Sequence, residues 1–273
     1  MPVTTADAVK ASVACARAVG LPADSPEVVA DGYSVRVRLH PAPVVTRVVT
    51  VGQELRGDPR PWLEREVAVA QFLSTSQVKV VTPWRDPGPH LAEGLDVSLW
   101  TWLEHEPAPV SSRQFGAMLG ELHAALATYQ ADLPPLVGPL TDIATALSCS
   151  DGRLLHHAAE ELVPLALHWP RRPLHGDAHV GNLLQTAEGP CWIDFEDVCV
   201  GPAEWDLASM TVDDAAVAAY PEPIDRRRLE ECRDLRRLQI LASMIVGNVV
   251  DARLHHQLVT ALHRRLGSEG TPS

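Results

Sequence analysis

Three oxygen-bearing side chains stand out by type and spacing. Asp177 and Asn182 lie five residues apart in the glycine-containing segment LHGDAHVGNLL, and Asp194 follows the apolar, strand-like CWI of residues 191–193. Two carboxylates and an amide oxygen are hard ligands, the set that suits Mg²⁺ bound together with substrate phosphates. Phosphoryl transfer needs such a set: one carboxylate orients an attacking hydroxyl and accepts its proton, and metal ligands neutralise charge on the phosphate oxygens. His175 and His179, four residues apart, offer a rival reading, a zinc-dependent hydrolase with Asp177 or Asp194 as third ligand. Zinc explains neither Asn182 nor the distant IDFED.

The elements that must position these groups can be read from periodicity. Residues 33–39 (YSVRVRL) alternate Val35, Val37 and Leu39 with Arg36 and Arg38, and VVTRVVTV follows at 44–51, so two antiparallel strands are expected with HPAP as their connection. Residues 62–73 (WLEREVAVAQFL) read as a helix with Leu63, Val67, Ala70 and Leu73 on one face. Glu66 falls inside that apolar arc, and a buried carboxylate is costly unless a cation meets it, so Glu66 is expected to have a fixed positive partner. A further strand is expected at 96–103, followed by the boundary EHEPAPVSS. Helices are then expected at 111–129, 141–147, 153–168 and, as a long pair, 225–266. Strands first and helices later argue for an α+β fold in two lobes, residues 1–103 and 104–273.

The Asp-x4-Asn spacing is that of the protein-kinase catalytic loop, with HGD in place of HRD and Asp194-Phe195 where a kinase has the start of DFG. Together the segments resemble the aminoglycoside phosphotransferase and choline kinase-like small-molecule kinases, through HGDxHxxNxL starting at His175 and IDFxDxxxGPxxxDLA starting at Ile193. The resemblance implies a protein-kinase-like fold, with a small N-terminal antiparallel sheet plus helix over the nucleotide and a larger, mostly helical C-terminal lobe. It implies Asp177 as the catalytic base, Asn182 and Asp194 as metal ligands, His175 and His179 as loop scaffold, and Asp206 as a brace of the catalytic loop. Glu66 matches the helix glutamate that pairs with a phosphate-holding strand lysine. No lysine stands at the matching strand, and Arg47, on one strand face with Val45 and Val49, takes that place. The phosphate-covering segment 30–37 holds a single glycine, Gly32, and Trp102 and Glu104 fall where the hinge would meet the base. The implied cofactors are Mg²⁺ and ATP or GTP as phosphoryl donor.

Composition narrows the partners. The chain has 273 residues and a formal net charge of -12, which disfavours nucleic-acid binding. Residues 1–103 hold 11 acids against 10 bases, whereas residues 104–273 hold 24 against 13. The excess lies where the family binds its acceptor, so a cationic hydroxyl compound of the aminoglycoside or amino-sugar kind is expected. The alternatives are a choline- or homoserine-type amino alcohol, and a nucleotide binder without turnover, suggested by the missing lysine and the glycine-poor loop. Only Lys10 and Lys79 are lysines; the other 21 basic residues are arginines. Five scattered cysteines without a CxxC pair, an N-terminus that reads as a short helix, and no membrane-spanning run lead to the expectation of a cytoplasmic protein. The longest apolar run, residues 238–250, reads as a buried helix.

Overall fold

A computed structural model of the chain describes residues 3–50, 55–106 and 109–268. The chain divides into two compact units, Met1–Val110 with Gly181–Val198, and Ser111–Val180 with Cys199–Ser273.

The first unit is built on an antiparallel sheet of five strands in the order β1-β2-β3-β5-β4: β1 (Ala23–Asp31), β2 (Ser34–Pro41), β3 (Val44–Val49), β4 (His90–Ala92) and β5 (Leu95–Thr101). The alternation read from the sequence sorts its two faces. Val35, Val37 and Leu39 pair in register with Val48, Thr46 and Val44, and all six side chains are fully buried beneath helix α1 (Thr5–Ala18). Thr46 is satisfied there by donating to Ser12 Oγ of α1 at 2.7 Å. The intervening residues place Arg36 opposite Arg47, and Arg47 opposite Ser98, on the other face. β1 carries none of this pattern: ADSPEVVAD is almost wholly exposed and includes a proline, which only an edge strand tolerates. Periodicity therefore had nothing to reveal it.

Helix α2 (Arg60–Leu73) buries Leu63, Glu66, Val67, Val69, Ala70 and Leu73. Three successive hydroxyls end it: Ser74, Thr75 and Ser76 donate back to the carbonyls of Gln71, Phe72 and Leu73. The same unit contains the hairpin β7 (Leu183–Thr186) and β8 (Gly189–Trp192), held to the preceding chain by Trp192 N–H to Lys79 O and Val81 N–H to Trp192 O.

The second unit is mainly helical: α3 (Ser112–Leu126), α4 (Val137–Cys149), α5 (Arg153–Leu167), α6 (Ala203–Leu207), α7 (Asp214–Ala219), α8 (Arg226–Val246) and α9 (Ala252–Ser268), with the short pair β6 (Arg172–Leu174) and β9 (Cys199–Gly201). α8 is its central post and packs against α4, α5, α6 and α9. The apolar run at 238–250 departs from the single buried helix expected. α8 stops at Val246 with Gly247 as cap, and Val249 and Val250 lie beyond it, exposed. Among the described residues no helix is long and apolar enough to cross a membrane.

α3 lies close to the segment that follows α7's start because two glycines on one face leave room. A Cβ on Gly116 would stand 2.1 Å from the Ala216 carbonyl oxygen, and one on Gly120 would stand 2.3 Å from Pro221 Cδ. His123, one turn further along, then reaches the Tyr220 hydroxyl at 2.8 Å. Gly116→Ala gains ~1 kcal/mol of helix propensity but must push a backbone carbonyl aside, an overpacking cost of about 1–3 kcal/mol, so a lower Tm is expected. Gly267→Ala is the control: nothing lies within 4 Å of its Cβ position in α9, and it should hold or raise the Tm. Thermal melts of the two variants check the opposite signs.

Candidate active site

In the first unit the sheet face carrying Arg36 and Arg47 meets α2 and the end of the β7–β8 hairpin. Arg47 Nη1 lies 2.6 Å from Glu66 Oε2 and 3.0 Å from Asp194 Oδ1, its Nη2 pairs with Glu196, and its Nε donates to Ser34 Oγ at 3.2 Å. The Arg47 and Glu66 side chains are 4% and 3% exposed, so the cation that the helix pattern demanded for Glu66 is Arg47. Arg36 Nη2 binds the second oxygen of Asp194 at 2.5 Å. Arg56 binds Asp197 through both guanidinium nitrogens at 2.6 and 3.3 Å, and Arg65 donates to the Glu196 carbonyl at 3.1 Å. Both of these arginines lie over the Trp62 ring, at 4.9 and 4.7 Å. Glu196 and Asp197 are therefore paired inside the cluster and do not form a solvated turn. Burial pushes the Glu196 carboxyl up to about 7 against the pull of Arg47, with Asp194 and Asp197 adding to the rise.

Antiparallel pairing brings the backbones of Asn182 and Asp194, twelve residues apart in sequence, to one end of the hairpin. Leu183 pairs with Trp192 in the hairpin, and the ladder continues with Ile193 N–H to the Asn182 carbonyl at 3.0 Å. Asp194 then takes a left-handed backbone conformation (φ 69°), which Asp tolerates better than most residues, before the turn Phe195–Asp197 that packs on α2. Two oxygen-donor side chains at one edge fit a hard cation that completes its shell with water and phosphate oxygens.

A cavity of about 230 Å³ opens beside the cluster. Val29, Val81, Trp100, Leu184 and Ile193 form apolar walls, while Arg36, Arg47, Glu66 and Asp194 form a charged end. Trp102 also lines it, with the Arg38 guanidinium 4.2 Å over its ring. Glu104 does not line the cavity. Its carboxylate accepts from Trp102 Nε1 at 2.8 Å and from Arg38 at 2.6 Å, and these bonds hold its pKa below the ordinary value. Among the described residues the Leu103 and Glu104 amides donate to no protein acceptor. Gly32 sits in the turn between β1 and β2, next to the Val29 and Ala30 wall.

Asp177 belongs to the second unit. Arg236 Nη1 of α8 donates to its Oδ1 at 3.2 Å, and His179 Nε2 is 3.5 Å from its Oδ2. Burial would raise the Asp177 carboxyl, but His179, Arg236 and His175 outweigh it and hold the group well below the usual carboxylate range. The loop beneath it is fixed from several sides. Asp206 accepts from the His175 and Gly176 amides at 2.8 and 2.9 Å, and His123 Nε2 is 2.9 Å from the same carboxylate. Trp205 Nε1 and Arg236 Nη2 both donate to the Gly176 carbonyl, at 2.7 and 2.9 Å, and Arg236 stacks 3.9 Å over the Trp205 ring. Asp206 is thus a brace inside α6 and not an end cap. His175 Nδ1 accepts the Asp177 amide at 3.3 Å, a scaffold contact. Among the described residues no three His, Cys, Asp or Glu side chains are grouped to hold a metal, which removes the geometric basis for the zinc reading. Asp213 caps α7 and Asp214 is exposed.

Sequence reasoning missed Arg36 and Arg236. The first was visible in the alternation that placed it across from Arg47. The second is 59 residues from its partner and left no local signal.

Residues 27–241 match the model of the APH family, described as the phosphotransferase enzyme family. No curated protein sequence matches the chain. Among solved structures, choline kinase LicA from Streptococcus pneumoniae aligns at 13% identity over 94% of this chain and 98% of its own, with a TM-score of 0.69. Amicoumacin kinase hAmiN, solved with AMP-PNP and Ca²⁺, aligns at 12% identity over 93% of each chain with a TM-score of 0.71. Aminoglycoside 2′-phosphotransferase-IIIa, solved with GDP, aligns at 12% identity over 94% of this chain and 98% of its own, with a TM-score of 0.63. At these identities the likeness is one of fold, the protein-kinase-like α+β fold.

The Asp206 brace has a pH signature. Burial opposes its charge, but the His123 hydrogen bond and the nearby His175 and Arg236 hold its pKa below the ordinary value. A depressed carboxyl contributes its stability above the unfolded pKa, about 3.9, and loses it as pH falls through the folded value. Asp206→Ala should cost about 3–5 kcal/mol at pH 7, because two amides and His123 lose a buried acceptor. The gap between wild type and variant should narrow at pH 3, as read from urea midpoints.

Proposed function

The chain belongs to the phosphotransferase enzyme family, and from that premise we propose that it transfers the γ-phosphoryl group of ATP or GTP to a hydroxyl of a small cationic molecule in the cytoplasm. The observation that carries the reading is the buried Arg47–Glu66 pair with Asp194 at the charged end of a cavity whose other walls are apolar. A heterocycle suits the apolar walls beside Trp102 and the Leu103 and Glu104 amides, and phosphates suit the arginines. Residues 1–103 with the 181–198 segment would serve the nucleotide, and the rest of 104–273 the acceptor.

In this reading Glu66 orients Arg47, which grips the phosphates, and Asn182 and Asp194 hold Mg²⁺. The metal supplies charge neutralisation on the transferring phosphate. Asp177 accepts a hydrogen bond from the acceptor hydroxyl and aims its oxygen. Held ionised by Arg236 and His179, Asp177 is a weak base, and it takes the proton late, once bonding to phosphorus has acidified the hydroxyl. Arg236 keeps the Asp177 carboxylate in one orientation while Trp205 and Asp206 fix the backbone behind it.

The acid excess of residues 104–273 favours a cationic acceptor. Choline and aminoglycosides, the compounds named for the similar kinases, are both of that class. The choline kinase likeness favours a second reading, an amino-alcohol acceptor. A pooled library of amino sugars, aminoglycosides and amino alcohols, incubated with Mg²⁺ and ATP or GTP and read by mass shift, tests both. Measurable nucleotide binding with no phosphorylated product across the library would point to a binder without turnover.

Asp177→Asn should lower kcat by roughly 10²–10⁴-fold, the usual contribution of a positioned acid–base group, with nucleotide Kd within about threefold of wild type. Asp194→Ala should do the reverse and remove Mg²⁺-dependent nucleotide binding. Turnover close to wild type in Asp177→Asn would sink the base assignment.

A further inference from the structure

We propose that Arg36 is a second phosphate-binding residue, forming with Arg47 a two-arginine fork that selects nucleoside di- and triphosphates. The proposal rests on the kinase reading and extends it to a residue with no counterpart in the motifs above. Arg36 and Arg47 are directly opposed in the β2–β3 register, and both line the cavity at its charged end. Each takes one oxygen of the same carboxylate, Arg36 Nη2 on Asp194 Oδ2 at 2.5 Å and Arg47 Nη1 on Asp194 Oδ1 at 3.0 Å. A carboxylate bridging two guanidiniums occupies them as a phosphate would, since both anions present two oxygens to planar forks. Arg36 is also the more available of the two: its side chain is 29% exposed against 4% for Arg47.

Charge favours the second arginine. Without Arg36 the cluster sets Arg47, Arg56 and Arg65 against Glu66, Asp194, Glu196 and Asp197, an excess of one negative charge where an anionic ligand must enter. Arg36 cancels that excess, and a divalent cation on Asp194 would make the site positive. The two guanidiniums therefore pass from Asp194 to the phosphate oxygens as the nucleotide binds, and Asp194 is released toward its metal.

The test is isothermal titration of wild type, Arg36→Ala, Arg36→Gln and Arg36→Lys, using Mg²⁺ with ATP and GTP and then the diphosphate and nucleoside of the tighter binder. Arg36→Ala and Arg36→Gln should weaken the triphosphate by 10- to 100-fold and leave the nucleoside within threefold of wild type. Arg36→Lys should fall between, keeping the charge without the fork. The same selective loss should appear with metal-free diphosphate in EDTA, read by ligand-observed NMR. Triphosphate binding within threefold of wild type, an equal loss for nucleoside and triphosphate, or a loss confined to solutions containing Mg²⁺ would each overturn the role of Arg36. If wild type binds neither ATP nor GTP, the kinase reading itself fails, a result distinct from any of these. Circular dichroism melts confirm that the variants are folded, and two side chains of different polarity at position 36 guard against a single misfolded substitution.

Discussion

A buried guanidinium organises the first unit. Removing an arginine from water costs several kcal/mol, and Arg47 on β3 is almost fully enclosed, so the chain around it must supply anions in fixed places. It does so from two segments: α2, with Glu66, and the chain just after β8, with Asp194 and Glu196. Each contributor is thereby tied to the sheet. Arg56 and Arg65 complete the cluster by gripping Asp197 and the Glu196 carbonyl, which fastens the turn to the helix region. Buried ion pairs are weak devices for stability, since apolar residues of similar size would do as well. Their presence at one end of a cavity is better explained by the chemistry they hold ready.

The second unit solves a different problem, the fixing of one loop. Asp177 is usable only if its backbone does not move, and three side chains converge on the two residues before it. Asp206 takes both amides, Trp205 and Arg236 take the Gly176 carbonyl, and His123 with Tyr220 supports Asp206 from behind. Arg236 acts on two levels, since it also binds the Asp177 carboxylate and adds to the larger effect of His179 in lowering its proton affinity. The close approach of α3 allowed by Gly116 and Gly120 is part of the same device, because it brings His123 to Tyr220.

What could be read in the sequence follows the range of the interactions. Parts of the 175–184 and 193–208 segments were legible because the signal is local: spacing puts Asp177 and Asn182 on one loop and Asp194 after a strand-like run, while the hairpin that joins them came only with the structure. Glu66 was legible for a subtler reason, a polar residue on an apolar helix arc, which obliged a cation to exist before any strand was matched to it. β1 was not, because an exposed edge strand owes its pairing to backbone bonds and leaves its side chains free to be Asp, Ser, Pro or Glu. Glu196 and Asp197, two adjacent acids after Asp194, carry no local sign of a partner, and only arginines brought by tertiary contact place them in the cluster. Arg236 lies 59 residues from Asp177 and nothing near it marks the role.

An arginine at position 47 is then more than an effect of an arginine-rich composition. An ammonium is a compact point charge with three donors, whereas a guanidinium is a planar fork with five. Arg47 spreads its charge over several groups: Nη1 lies in ion-pair range of Glu66 and Asp194, Nη2 pairs with Glu196, and Nε donates to Ser34. A lysine at this position could pair with Glu66 but has no second arm to reach Glu196 and Ser34 at once. Glu196, in the turn after Asp194, holds the second arm of that fork with Arg56 3.9 Å from its other oxygen, while Arg36 on β2 balances Asp194.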